Sequence, residues 1–195
     1  MNLPNKLTLA RLVLVALLLV LLTVPFPYAM SLALLVFIVA SVSDYLDGYL
    51  ARRVYGESAF GRLMDPLADK VMVCAAFVSF VDLGLVPAYI VVIIISREFL
   101  VTGLRLLAVE KREIIPAGKW GKHKTVWQIA AIIVILLGLA VRHDILGDAD
   151  AALLRDYDLA FEHIAYAVSI AVALITVGSG YLYFMENREL IRRNL

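Results

Sequence analysis

The run Ile164-Ala165-Tyr166-Ala167-Val168-Ser169-Ile170-Ala171-Val172-Ala173-Leu174-Ile175-Thr176-Val177-Gly178-Ser179-Gly180-Tyr181-Leu182-Tyr183-Phe184 contains no charged side chain. A helix needs about 20 mostly apolar residues to cross the hydrocarbon core of a bilayer, and this run has that length by itself. Toward the N-terminus, further apolar runs recur at 126–141, 86–96, 71–81, 30–43 and 12–24. These reach span length only when flanking residues, some of them charged, are included. Pro4, Pro25, Pro27, Pro66, Pro87 and Pro116 fall at run edges or in connections, where a missing N–H costs least. The pattern predicts an all-α integral membrane protein, a six-transmembrane-helix bundle. A short N-terminal interfacial helix is expected to lead into the first span. No repeat, long linker or low-complexity tract divides the chain, so a single membrane domain over 1–195 is expected.

Composition supports this reading. Of 195 residues, 63% are hydrophobic and 18% charged, against about 45–50% and about 25% in a typical soluble domain. The excess apolar surface needs lipid as its solvent, which disfavours a soluble enzyme, a disordered chain and a secreted disulfide scaffold. Cys74, the single cysteine, has no internal partner for a disulfide. The net charge of +1 gives no reason to expect a nucleic-acid partner.

Charge distribution is more informative than the total. With six spans, the N-terminus, the segments 51–65 and 108–124, and the C-terminus share one side. That side holds Arg52, Arg53, Arg62, Lys111, Arg112, Lys119, Lys122, Lys124, Arg188, Arg192 and Arg193. The opposite side has Arg142 and Arg155 among Asp82, Asp144, Asp148, Asp150, Asp156 and Asp158. Basic residues are retained in the cytoplasm, so both termini are expected there, in a multi-pass protein of the cytoplasmic (cell) membrane. The opening residues carry little positive charge and Arg11 interrupts the apolar stretch early, unlike a cleaved signal peptide.

The chemistry concentrates between the second and third spans. Asp44, Asp47, Gly48, Ala51 and Arg52 precede Gly61, Asp65 and Asp69. On a helix, Asp44 and Asp47 lie about 60° apart, and Asp65 and Asp69 are one turn apart. A short connection between antiparallel helices can bring all four carboxylates together. Four anions at a membrane boundary repel one another unless neutralised, and an all-oxygen set suits hard cations such as Mg²⁺ or Mn²⁺. Gly48, Ala51 and Gly61 leave room for a bulky ligand, and Arg52 offers a fork of donors to phosphate oxygens. A pyrophosphate substrate fits this combination. Helix capping is the competing explanation, and Asp65 before Pro66 has the pattern of an N-cap. Capping accounts for one carboxylate, not for four at paired spacings.

A second basic group follows. Arg97 and Arg105 are eight residues apart in the fourth span, about 80° around a helix, so both can face one groove. Gly118, Lys119, Trp120, Gly121, Lys122, His123, Lys124 and Thr125 lead into the fifth span. Together these residues can hold a small phosphorylated acceptor. The bland alternatives are lysines that anchor to lipid headgroups and an Arg97 paired with Glu98. His123, His143 and His163 show no ligand spacing and are read as non-catalytic. Cys74 is read as a packing or lipid-facing group, and Tyr181, Tyr183 and Phe184 as interfacial anchors.

The segment Asp44 to Asp69 resembles the signature of the CDP-alcohol phosphatidyltransferase family, D-x2-D-G-x2-A-R-x8-G-x3-D-x3-D, at every position. The resemblance implies a six-helix, dimeric membrane domain in which Asp44, Asp47, Asp65 and Asp69 bind two divalent metal ions, Mg²⁺ or Mn²⁺. It implies that Asp44, Gly48, Arg52 and Gly61 fit around the CDP moiety and that Asp69 is also the general base. The N-terminal stretch from Asn2 to Arg11, the stretch Ser96 to Arg105 and the segment 121–125 resemble the branch of that family making phosphatidylglycerophosphate. That likeness implies CDP-diacylglycerol as donor and sn-glycerol 3-phosphate as acceptor, with CMP released. It puts Arg97, Arg105, Lys122 and Lys124 around the acceptor phosphate and Asn5 at the nucleotide site. The alternatives are the same chemistry on inositol phosphate, serine or phosphatidylglycerol and, outside that class, a divalent-cation transporter. The basic groove argues against serine. The acids gather at one membrane edge rather than at the midplane, which argues against a transporter.

Overall fold

The computed structural model describes the backbone of residues 3–54, 59–110 and 119–188, and the side chains of 9–43, 70–105 and 123–188. Six α-helices follow in chain order: α1 (Leu3–Thr23), α2 (Ala29–Val54), α3 (Ala59–Asp82), α4 (Ala88–Glu110), α5 (Lys119–Ala140) and α6 (Ala151–Glu186). A π-helical turn, Val141–Ile145, extends α5. Among the described residues there is no strand. Each apolar run of the sequence lies in its own helix, within two residues at the ends.

Two boundaries differ from expectation. Among the described residues no separate interfacial helix precedes the first apolar run, because α1 is continuous from Leu3. Pro4 sits in its first turn, where the lost N–H has no intrahelical partner to lose, and no glycine or proline follows before Thr23. At the other end, α6 starts at Ala151, well before the apolar run at 164. Its 36 residues make a rod of about 54 Å at about 1.5 Å per residue. The first turns are held to α5 by the Tyr157 hydroxyl, which donates to the Gly138 carbonyl at 2.9 Å. Arg142 Nη2 also donates to Asp158 at 3.1 Å. Gly138 leaves space for the Phe161 ring; a Cβ there would stand 2.0 Å from Phe161 Cε2.

Turn chemistry closes the helices. Gly84, at φ 74°, ends α3. Its N–H bonds the Val81 carbonyl at 3.0 Å, and the Leu85 N–H bonds the Phe80 carbonyl at 2.9 Å. This paired pattern needs a left-handed residue, which glycine supplies without a side-chain clash. Between α1 and α2, Tyr28 takes φ 62°. The Asp144 carboxylate accepts the Ser31 N–H at 2.6 Å, so an acid from the distant π-helical turn caps the start of α2.

Packing fixes the helix order in space. α1 contacts α2 and α3, α5 contacts α2, α3 and α6, and α4 contacts α3 and α6. Leu18, Phe37, Phe77, Phe80, Ile94 and Ile135 are buried in one core. The Phe77 and Phe80 rings meet edge to face, 6.2 Å between centroids. The outer surface is apolar too: Leu174 is 68% exposed and Val92 60%. Among the described residues, the segments His123–Ile145 and Ala151–Glu186 are long and apolar enough to cross a membrane; Leu9–Thr23 and Ala29–Ser43 are shorter apolar helices.

Candidate active site

The signature straddles two helix ends. Asp44, Asp47, Gly48 and Arg52 belong to the C-terminal turns of α2, and Gly61, Asp65 and Asp69 to the first half of α3. The helical register puts Asp44 three residues from Asp47, and Asp65 four from Asp69. Their side chains lie outside the described residues, as do those of Asn5 in α1 and Lys122 in α5. The bundle around them is described: α1 and α5 each pack against both α2 and α3.

Beside these positions the helices enclose a cavity of about 120 Å³ where α2, α3, α4 and α5 converge. Ser41, one turn before Asp44, and Lys70, next to Asp69, line it together with Cys74, Glu98, Thr125 and Gln128. Met72, Val73, Phe77, Ile94, Ile95 and Ile129 make the rest of its wall, so the pocket is mainly apolar with a few polar groups set into it.

Glu98 organises that pocket. It is 7% exposed, and its carboxylate pairs with the Lys124 ammonium of α5. Gln128 Nε2 donates to the same oxygen at 3.4 Å, and Arg97 Nη1 lies 3.7 Å from it. Lys124 and Gln128 are themselves buried. A buried carboxylate persists only when charges and donors compensate it, and α5 supplies them. Lys124, expected among the acceptor-phosphate residues, is thus held against Glu98. The Arg97–Glu98 pairing weighed for the sequence is present as well.

The two arginines of α4 meet α6. Arg97 is largely buried, its Cγ 3.0 Å from where a Cβ on Gly180 would stand. Arg105 is exposed, with its guanidinium carbon 5.5 Å from the centroid of the Tyr183 ring. Tyr89 and Tyr166 meet through their hydroxyls at 3.1 Å. These contacts rise together along both chains, so α4 and α6 run in the same direction. Tyr183 does not match the interfacial-anchor expectation: it is 5% exposed, whereas Tyr181 is 63% exposed. Two residues apart on a helix point to different faces, and only Tyr181 points outward.

Glu98, Gln128, Gly180 and Tyr183 were not among the site residues expected from sequence. An acid inside an apolar helix is a usable signal, since such charges are rare without a role. The stripe Thr176, Gly180 and Tyr183, spaced by four and three, is a weaker one.

The chain belongs to the CDP-alcohol phosphatidyltransferase family, whose model matches residues 1–178. Among its relatives is the CDP-diacylglycerol–glycerol-3-phosphate 3-phosphatidyltransferase of Bacillus subtilis (strain 168). It is 37% identical, and the match covers 98% of this chain and 97% of that protein. The same-named protein of Rickettsia bellii (strain RML369-C) is 32% identical, with 94% and 93% covered. That of Pseudomonas fluorescens is 38% identical, with 70% and 72% covered.

Proposed function

We infer that this chain transfers the phosphatidyl group of CDP-diacylglycerol to sn-glycerol 3-phosphate, giving phosphatidylglycerophosphate and CMP. The observation that carries this reading is the near full-length similarity to the Bacillus subtilis protein of that name. The chain works as one membrane domain, its six helices spanning the cell membrane with both termini and the signature at the cytoplasmic face. The apolar outer surface and the basic residues of the segments assigned to that face support this orientation. A rod as long as α6 exceeds a hydrocarbon core of about 30 Å, so its first turns, with Arg155, Asp156 and Asp158, extend beyond the membrane on the opposite side. The functional unit is a homodimer, as the family resemblance implies.

Asp44, Asp47, Asp65 and Asp69 would hold two divalent ions, Mg²⁺ or Mn²⁺. The donor set fits, being all carboxylate oxygen from two helix ends. Bound there, the ions would neutralise charge on the pyrophosphate. Asn5, Asp44, Gly48, Arg52 and Gly61 bind the CDP portion, the glycines admitting it close to the helix backbone. Asp69 takes the proton from the acceptor hydroxyl. That oxygen bonds to the β-phosphorus, the bond to the α-phosphate oxygen breaks, and CMP leaves. Arg97, Arg105 and Lys122 hold the acceptor phosphate, while Lys124 acts from its pairing with Glu98. The lipid tails remain between helices and bilayer throughout.

The test is an acceptor panel. Purified protein is given CDP-diacylglycerol, Mg²⁺ and, in turn, glycerol 3-phosphate, inositol phosphate, serine and phosphatidylglycerol. CMP release with glycerol 3-phosphate is expected; release with another acceptor alone overturns the assignment, and no release with any of them overturns the transferase reading.

A further inference from the structure

The last helix carries none of the site residues expected from sequence, yet it forms the surface against which both α4 arginines lie. We propose that Gly180 and Tyr183 of α6 are positioning residues that set the direction of Arg97 and Arg105, and so determine the preference for a phosphate-bearing acceptor. The inference rests on the reading that these arginines hold the acceptor phosphate.

An exposed arginine side chain samples many rotamers and loses freedom when it binds an anion. The Tyr183 ring beneath Arg105 restricts that freedom in advance. The ring is buried while the guanidinium above it is exposed, so a rigid aromatic base carries a solvent-facing cation. Interaction with a ring face consumes no N–H donor, which leaves the guanidinium fork for phosphate oxygens. Gly180 serves Arg97 differently. With no side chain, it lets the Arg97 stem lie against the backbone of α6, and an added Cβ would come within 3.0 Å of Arg97 Cγ. Arg97 Nε is buried and has no hydrogen-bond partner among the described residues. Gly180 and Tyr183 are three residues apart, on one face of α6, as the two arginines meet that face from α4.

The experiment compares Tyr183→Leu, Tyr183→Phe, Gly180→Ala and Arg105→Ala in mixed micelles, varying each substrate at saturating levels of the other. Tyr183→Leu is expected to raise KM for glycerol 3-phosphate about five-fold or more, the scale of a partly desolvated cation–ring contact. Its kcat and its KM for CDP-diacylglycerol are expected within about two-fold of wild type. Tyr183→Phe keeps the ring and restores the acceptor KM. Gly180→Ala raises the same KM through Arg97, providing a second reading if the leucine variant fails to fold. A Tyr183→Leu enzyme with unchanged acceptor KM, beside an Arg105→Ala enzyme with a raised one, overturns the inference and leaves the arginine reading standing. A parallel loss in kcat, both KM values and melting temperature also overturns it, since that is the signature of packing alone. An unchanged acceptor KM in Arg105→Ala overturns the arginine reading and this inference with it.

Discussion

At Glu98 a buried carboxylate sits in a mostly apolar helix, and its cost is met chiefly by side chains from another element. Lys124 and Gln128 approach from α5, and Arg97 from the neighbouring position on α4. Removing one partner of a buried pair leaves the other charge uncompensated, at about 3–5 kcal/mol. Glu98→Ala is therefore expected to lower stability by that amount in denaturation experiments in detergent. Glu98→Leu combined with Lys124→Met should cost less than the sum of the single changes, which a double-mutant cycle measures directly. Asp69 makes a different prediction. If it takes the acceptor proton, Asp69→Asn drops turnover by at least about 100-fold, while the melting temperature stays near that of the parent. A turnover near wild type would remove it from the reaction. The aspartate signature was legible because eight specified residues fall at fixed spacings. The Glu98 network was not, because its partners on α5 lie 26 and 30 positions away and no local pattern pairs them.

At the scale of helices, chemistry at the ends and small residues at the crossings decide the joints. The Phe161 ring of α6 occupies the space that Gly138 of α5 leaves. Gly138→Leu has no room without moving that ring, and overpacking of this kind costs about 1–3 kcal/mol; a lowered melting temperature is the expected result. Asp144 caps α2 across the bundle, so Asp144→Ala should cost about 1 kcal/mol, read in the same assay. Helix existence was readable from the apolar runs. Helix ends were less so: α6 begins with the short apolar group 151–154, separated from the long apolar run by charged residues, and α1 needs no break after Pro4. In both cases helical geometry continues because no glycine or proline interrupts it, while hydropathy marks only the part that lipid or core requires.

At the scale of the whole molecule, the proposed orientation and metal requirement can each be tested. Cys74 is the single cysteine, so a Cys74→Ala background makes introduced thiols site-specific. Asp156→Cys should react with a membrane-impermeant maleimide from outside intact cells, and Arg188→Cys only after permeabilisation; the reverse labelling would invert the topology. Chelation should abolish CMP release, and added Mg²⁺ or Mn²⁺ should restore it; full activity in excess chelator would remove the two-ion role of the four aspartates. The sequence by itself determined the helical class, the family and the spacing of the four signature aspartates, because hydropathy and short-range spacing are local properties of the chain. Only the tertiary structure decided that Lys124 is spent on Glu98, that Asp144 caps α2 and that Tyr183 lies beneath Arg105. Each of those depends on which face of one helix meets which face of another, and that choice is made by packing between residues far apart in the chain.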